Sequence, residues 1–388
     1  MIFNEWTYGC FLVLGILGFA VLPPARRTAW LAFVGACFYA FYGGAWIAVF
    51  IVEIIISRWY APRSRIAVFG VIQALAILTV VKYGAFFALV GARLGLPIGP
   101  VHPFALPLAL SFFIFEFIHY AADRYRGTAP ALPAATYASF ILFFPTMIAG
   151  PIKRIQDYTR SLPSAGVEWD GVFLGTRRIL VGLFKKAVLA DNINIFLEYA
   201  FVANEPREAR YPVMCFHLLV YSLRIYLDFS AYSDIAIGSA RLFGIEVPEN
   251  FNWPYLARNP SQFWRRWHIS LSSWITDYVY IPLGGSRSNS RARVALNTCA
   301  AMALSGLWHG AAGNFVVWGL YHGLLLVTYR AVVKIWTAHV PLGLRENGIV
   351  VATYRLANFS LVSFGWVFFA MPIEIGWPFT KRLLGLHP

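Results

Sequence analysis

Long apolar runs separated by short basic clusters constrain this chain more than any other feature. A helix needs about 20 apolar residues to cross a bilayer, and several runs reach that length. Of the 388 residues, 59% are hydrophobic and 13% are charged, against roughly 45–50% and about 25% in soluble domains. This composition excludes a disordered chain, a solvated enzyme domain and a coiled coil. The sequence therefore predicts an all-α, polytopic integral membrane protein whose apolar runs are 6–22, 28–42, 44–57, 66–91, 104–122, 135–150, 171–200, 211–243, 293–309, 313–337 and 348–371.

The basic residues lie between these runs. The chain has 32 Lys and Arg residues and 18 Asp and Glu residues, a formal net charge of +14. A nucleic-acid-binding protein gathers such residues on one solvated face, whereas short clusters between apolar runs are typical of cytoplasmic loops beside anionic lipid. Arg26 and Arg27 follow the first run, and no basic residue precedes it. We therefore expect a retained first helix with the N-terminus outside, no cleaved signal peptide and no nucleic-acid partner.

Several runs are too short or too broken for a simple crossing. The stretch 28–57 is interrupted at Gly43-Gly44, and the run 135–150 is interrupted at Pro145 and at Gly150-Pro151. Irregular backbone at membrane depth is tolerated only where protein or a water-filled cavity covers it, so these breaks predict short, re-entrant helices and a cavity. Residues 171–190 alternate basic and apolar faces, which favours an interfacial helix over a plain spanning one.

Ionisable and sulfur-containing residues inside the runs have mostly structural interpretations. Arg224 and Asp228 are four residues apart, so on a helix they share a face and can form a buried structural ion pair. The four cysteines are far apart, with no Cys/His ligand spacing. We therefore expect neither a metal site nor a disulfide framework.

Histidines carry the candidate chemistry. His268 lies in an aromatic and basic segment, 254–285, and His309 lies in a stretch without formal charge, 294–329. An aromatic belt with basic anchors explains much of the first segment, but an imidazole adds proton transfer near neutral pH. His322 is more simply a packing histidine bonded to a carbonyl. Because no GxSxG, GxxxxGK[ST] or HExxH motif occurs, we predict general-base chemistry on a hydroxyl.

Three motifs are similar to those of the membrane-bound O-acyltransferase (MBOAT) family, in its bacterial AlgI/DltB-like branch. They are FPTMIAGPIKR (144–154), the long segment 227–285 that includes WRRWHISLS, and SGLWHGAAGNFVVWGLYHG (305–323). The resemblance implies a ring of about eleven helices around a central funnel and tunnel. It also places the family's presumed catalytic histidine on His309 and a second shared histidine on His268. Tunnel or oxyanion candidates are Trp308, Asn314, Trp264, Arg265 and Tyr278.

The resemblance also implies a reaction and its participants. A cytoplasmic thioester, acetyl-CoA or a carrier-bound phosphopantetheine, would be a co-substrate rather than a bound cofactor. An acyl group, with acetyl favoured, would pass to a hydroxyl of an envelope or exported polysaccharide or to an extracytoplasmic SGNH-type partner. His309 would act as general base, in the inner membrane of a bacterium and in contact with membrane lipid. We expect one domain, 1–388, with N-terminal helices at 1–130, a catalytic core at 135–325 and C-terminal helices at 326–388.

Two alternatives remain open on the sequence. The donor can be a D-alanyl carrier protein of teichoic acid D-alanylation, docking on basic residues such as Arg177-Arg178 and Lys185-Lys186. A transporter without catalysis shares broken helices and buried ionisable groups, although no internal repeat is visible in this chain.

Overall fold

Helices dominate because, in lipid, backbone N–H and C=O groups must be satisfied within the same segment. The computed structural model describes residues 3, 5–96, 106–202 and 210–386, which contain no strand. The helices in these ranges are α1 Trp6–Val21, α2 Pro24–Gly43, α3 Ile47–Ser57, α4 Arg65–Leu78, α5 Gly84–Arg93, α6 Leu110–Arg126, α7 Ala134–Ile141, α8 Phe144–Met147, α9 Ile155–Ser161, α10 Trp169–Phe184, α11 Asp191–Val202, α12 Tyr211–Arg241, α13 Pro260–Trp264, α14 Ile269–Ile275, α15 Arg291–His309, α16 Gly313–His339, α17 Leu342–Arg345, α18 Gly348–Ala370 and α19 Ile373–Leu383.

Four helical stretches are long and apolar enough to cross a membrane. Two of them are continuous helices, α12 and α16, and the other two run through a local break, over Pro24–Ser57 and Arg65–Arg93. Large apolar side chains such as Leu14, Phe41 and Ile72 are more than half exposed, as expected of surfaces that face lipid. The prediction of an all-α, multi-pass membrane protein is confirmed, and the ring around a funnel stays a prediction.

The broken helices occur where the sequence predicts them. Helix α2 ends at Gly43, and Gly44 adopts φ +59°, a left-handed backbone that glycine accepts without steric cost. In the run 135–150, α7 ends at Ile141 and the four-residue α8 follows with Pro145 in its first turn. The side chains of α8 are fully buried, so protein rather than lipid surrounds this irregular backbone.

The chain divides into two compact units, of which one comprises Met1–Phe184 and Ala231–Glu249 and the other Lys185–Ser230 and Asn250–Pro388. The boundaries expected from the sequence at 130, 135 and 325 stay a prediction. Two pairs of polar side chains lie in the interior of the first unit: Lys153 Nζ lies 2.5 Å from Glu116 Oε1, and the Gln156 amide donates to Asp123 Oδ2 at 2.7 Å. The sequence analysis did not single out these residues.

Helix α10 in the same unit differs in part from the interfacial helix that its alternating pattern favours. Arg178 turns inward, where its guanidinium donates to Asp234 Oδ1 at 3.1 Å and to Glu249 Oε1 at 2.5 Å. The outward face is largely apolar, with Phe173 and Leu180 exposed. Arg178, which the sequence pattern places on a basic face, therefore belongs to an internal ion network, because the carboxylates of Asp234 and Glu249 lie within hydrogen-bond distance of it.

The second unit is built on an antiparallel hairpin of α15 and α16. Glycines permit its close packing: a Cβ at Gly306 would overlap the carbonyl oxygen of Phe315, and one at Gly319 would overlap that of Met302. Small residues at helix interfaces let backbones approach in this way. The group that approaches Gly306 is the backbone of α16. The hairpin packs against α18 and α13 around buried indole rings of Trp264, Trp267, Trp318 and Trp366.

We predict that Gly306→Ala destabilises the protein, because the added methyl group must push α16 away from α15. Overpacking of this kind costs about 1–3 kcal/mol, which lowers the thermal unfolding midpoint of the detergent-solubilised protein. Gly313→Ala is the matched control, since a Cβ there meets no atom within 4 Å. Equal unfolding midpoints for the two variants would contradict the packing argument.

Candidate active site

The backbone around His268 is held by a buried asparagine. Asn250 accepts from the Ile269 amide through its backbone oxygen, at 2.9 Å, and from the Ser270 hydroxyl through Oδ1, at 2.6 Å. Next to it, the Asn252 amide donates to the Arg266 carbonyl oxygen at 2.9 Å. Between these contacts His268 adopts φ +43°. Such a conformation costs a non-glycine residue about 1–3 kcal/mol and persists only where the surroundings enforce it.

The His268 side chain is buried and lies between aromatic rings. It is 1% exposed, and its ring meets those of Phe229 and Trp308 edge to face, with centroids 4.7 and 5.9 Å away. Neither ring nitrogen has a hydrogen-bond partner in the described residues. His268 lies outside the four candidate spans, and burial lowers its pKa well below the usual range, with nearby His309 as a second cause. The His268 imidazole is therefore neutral, and both of its nitrogens can form hydrogen bonds with a ligand.

His309 is the last residue of α15, immediately before the turn into α16. Its half-buried ring is walled by three aromatic rings, with centroids of Trp308 at 4.8 Å, Phe369 at 5.0 Å and Trp318 at 5.3 Å. Trp308 therefore contacts both candidate histidines. The structure brings His268, Trp308 and His309 together within one unit, as a cluster in which the indole ring contacts both imidazole rings.

His322 lies deeper in the same unit. It is 0% exposed and packs edge to face against Trp264 and Trp318, with ring centroids 5.2 and 5.0 Å away. His322 therefore packs in the interior, as the sequence predicts. The predicted hydrogen bond to a carbonyl is not present among the described residues, in which neither ring nitrogen of His322 has a partner. Gly365 provides the space for the ring, since a Cβ there would lie 2.8 Å from His322 Nε2.

A cavity of about 470 Å³ lies beside this cluster. Its wall on α15 is formed by Thr298, Ala301, Met302 and Ser305, which share one helical face, and His309 follows Ser305 on that face one turn later. Trp264 and Arg265, two of the expected tunnel residues, also line it. The α15 wall therefore combines two hydroxyl groups with two apolar side chains, and the candidate base lies one turn beyond it.

Two other expected lining residues lie elsewhere. Tyr278 packs its ring against Trp274, with centroids 5.0 Å apart, while Asp277 and Tyr280 face the cavity. Residues 276–280 form a π-helical turn, which changes the register that an α-helix would have. Asn314 is buried, and its amide donates to the Phe368 carbonyl oxygen at 3.0 Å, bracing α16 against α18.

The sequence analysis missed one cavity residue with an obvious charge. Arg330 lies in α16 and donates to Thr298 Oγ1 at 2.9 Å, across the hairpin. It comes directly after the uncharged stretch that contains His309, and an arginine inside a candidate span was the signal that could have identified it.

The expected ion pair of Arg224 with Asp228 is not the one that the structure forms. Asp228 pairs with Lys186, whose Nζ lies 2.9 Å from Oδ1 and which also contacts Asp191. The cation comes from the π-helical segment Lys185–Ala190 rather than from the preceding turn of α12. Spacing along one helix shows which residues can meet. In the structure the Asp228 carboxylate instead pairs with a lysine from a different segment.

The fold and the site define a multi-pass membrane protein with a histidine cluster beside a cavity. The model of the MBOAT, membrane-bound O-acyltransferase family matches residues 106–367. The chain is 34% identical to a probable alginate O-acetylase AlgI of Azotobacter vinelandii, over 97% of this chain and 77% of that protein. It is 30% identical to a peptidoglycan O-acetyltransferase of Helicobacter pylori, over 97% and 78%. It is 27% identical to a teichoic acid D-alanyltransferase of Bacillus subtilis, over 94% and 97%.

The chain therefore belongs to the membrane-bound O-acyltransferase family. It is an acyltransferase, and the resemblance noted in its motifs is confirmed. Membership of this family sets aside the transporter alternative.

We predict that Asn250→Ala loosens the backbone that holds His268. The variant loses the acceptor of the Ser270 hydroxyl, and breaking a buried hydrogen bond costs about 1–3 kcal/mol. The unfolding midpoint and the catalytic activity of the purified variant both fall. Asn252→Ala is the control, because its side chain is exposed and such substitutions change stability by about 0.5 kcal/mol or less. Unchanged stability of Asn250→Ala would refute the assigned role.

Proposed function

We propose that this protein transfers an acyl group, with acetyl favoured, from a cytoplasmic thioester to a hydroxyl group on the outer side of a bacterial inner membrane. The acceptor is an envelope or exported polysaccharide, or an extracytoplasmic SGNH-type partner that completes the transfer. One observation carries the proposal: in a chain of this family, half-buried His309 lies one helical turn beyond the wall of a cavity. The similarity to a probable alginate O-acetylase and to a peptidoglycan O-acetyltransferase supports the choice of acyl group and acceptor.

His309 is the proposed general base. Its ring is surrounded by the aromatic rings of Trp308, Trp318 and Phe369, and an imidazole can take up a proton near neutral pH. The acceptor oxygen bonds to the thioester carbonyl carbon while its proton moves to the imidazole. The tetrahedral adduct then breaks its C–S bond, and the imidazolium returns the proton to the leaving thiolate. General-base catalysis contributes roughly 10²–10⁴-fold, and confinement of both substrates adds to the rate.

His268 and Trp308 are the proposed stabilisers of the oxyanion. The neutral His268 ring has no internal partner for its N–H in the described residues, and Trp308 contacts both this ring and that of His309. A preorganised donor in a site without water lowers the energy of the charge that develops on the carbonyl oxygen.

The cavity is the proposed entrance for the donor. Because the hairpin is antiparallel, the Arg291 end of α15 and the Arg330 end of α16 lie together, and basic ends are typical of the cytoplasmic side. From Thr298 to His309 the helix rises about 16 Å at 1.5 Å per residue, a distance that an extended phosphopantetheine arm can span. Arg330 and Arg265 are placed to meet its phosphate, and the thioester would then reach His309.

We predict that His309→Ala abolishes acyl transfer while the protein still purifies folded. Loss of the base lowers the rate by about 10²–10⁴-fold. The measurement is transfer of radiolabelled acetyl from acetyl-CoA to candidate glycans. His339→Ala serves as control, since that histidine is exposed and lies at the C-terminal end of α16, whereas His309 precedes the N-terminal end. Near-full transfer by His309→Ala would overturn the base assignment.

We predict that Arg330→Gln weakens binding of a phosphate-bearing donor. Losing one charge-assisted hydrogen bond of about 1.5 kcal/mol raises KM for acetyl-CoA roughly tenfold. KM for S-acetyl-pantetheine, which carries no phosphate, stays unchanged. Equal increases for both donors would show that Arg330 supports the fold of the cavity instead.

D-alanyl transfer from a carrier protein is the second candidate. It is favoured by one observation, the match to a teichoic acid D-alanyltransferase over nearly the full length of both chains. Carrier proteins and coenzyme A both present phosphopantetheine, so the cavity is compatible with either. Reconstitution with acetyl-CoA in one reaction and a D-alanyl carrier protein in another separates them by which donor is consumed.

A further inference from the structure

A second cavity lies behind the short helix α13. It has a volume of about 440 Å³ and is bounded by residues 258–262, the last turns of α16, α17 and the first half of α18. Ser261 faces the donor cavity, whereas Asn259 and Gln262 face this second one. The two cavities are therefore on different sides of the same short segment, and the proposed reaction leaves the second without a role.

Polar atoms in its wall have no partner within the protein. Asn358 is 3% exposed, and its amide donates to the Ala257 carbonyl oxygen at 3.1 Å, but its Oδ1 has no hydrogen-bond partner in the described part of the chain. The same holds for Arg345 Nε and the Tyr354 hydroxyl. Buried polar groups are normally satisfied, so these atoms indicate a ligand. It must supply an acceptor for Arg345 and a donor for Asn358.

The charges in the wall indicate one negative charge on that ligand. Arg258 pairs with Glu346, with Nη1 and Oε2 2.8 Å apart. Arg345 then contributes the remaining positive charge of the lining residues. A phosphodiester supplies a single negative charge and several acceptor oxygens.

The rest of the wall is apolar and open to the surroundings. Val332 is 53% exposed, Leu361 is 44% exposed and Trp336 is 40% exposed. The first and third of these lie in the last two turns of α16, a candidate membrane span. Tryptophan is typical of the level where lipid headgroups meet the hydrocarbon. An apolar rim of this kind suits acyl chains and offers little to a water-soluble phosphate compound.

We propose that this cavity binds one glycerophospholipid whose headgroup carries a hydrogen-bond donor besides its phosphodiester, such as phosphatidylethanolamine or phosphatidylglycerol. Arg345 binds the phosphate, and Asn358 Oδ1 accepts from the ammonium or hydroxyl group of the headgroup. The acyl chains follow Val332 and Leu361 into the bilayer. Phosphatidylcholine fits less well, because its quaternary ammonium has no N–H to donate.

The experiment measures lipid binding to the purified full-length protein by native mass spectrometry. Phosphatidylethanolamine, phosphatidylglycerol and phosphatidylcholine are compared with identical acyl chains. We expect the first two to bind at least fivefold more tightly than the third. Soluble glycerophosphoethanolamine is expected to bind far more weakly than the lipids. Equal binding of phosphatidylcholine would overturn the selectivity, and tight binding of the soluble headgroup would show a site for a free phosphate compound instead of a lipid.

Three variants locate the site. Arg345→Gln is expected to weaken binding of all three lipids about tenfold, and Asn358→Leu to remove the preference over phosphatidylcholine. Arg355→Gln, on α18 but outside the cavity, is the matched control and keeps wild-type binding. Wild-type binding by Arg345→Gln would place the lipid elsewhere. The lipid comparison on the wild-type protein decides the proposal even if Asn358→Leu fails to fold.

Discussion

The close approach of α15 and α16 at their glycines is the contact on which the rest of the second unit depends. Because the two backbones touch at Gly306 and Gly319, the hairpin is narrow and its register is fixed. That register places His309 at the turn and brings Arg330 to Thr298 near the other end. The proposed base therefore lies at the turn of the hairpin, and Arg330, the proposed phosphate-binding residue, lies on the other helix beside Thr298 in the wall of the cavity.

Buried polar groups in this protein fall into two kinds. Those that hold the structure are paired, as Lys153 is with Glu116 and Lys186 is with Asp228. An uncompensated buried charge is costly, so such pairs persist. By contrast, both ring nitrogens of His268 and the amide oxygen of Asn358 lack partners among the residues described. Atoms of this second kind include ones that line or adjoin the sites proposed here, where a substrate or a lipid would supply the missing hydrogen bonds.

Much of the candidate site could be predicted from residue chemistry and motif resemblance. His309 and His268 were identifiable because an imidazole in an uncharged or aromatic segment has few structural roles. The interruption at Gly44 was identifiable because a pair of glycines divides the apolar stretch 28–57. The position of Tyr278 could not be derived, because a π-helical turn changes the register of residues 276–280, and the partner of Asp228 could not be derived, because it comes from a separate segment.

The sequence by itself determined that the chain is helical and embedded in a membrane, that its helices break at particular glycines and prolines, and that histidine is its candidate catalytic group. These follow from hydrophobicity, backbone chemistry and residue type, which are local properties. Only the tertiary structure decided which groups meet: Trp308 with two imidazole rings, Asn250 with the backbone next to His268, and Arg330 with Thr298 across the hairpin. Those pairings depend on how distant helices pack, and no periodicity along the chain encodes them.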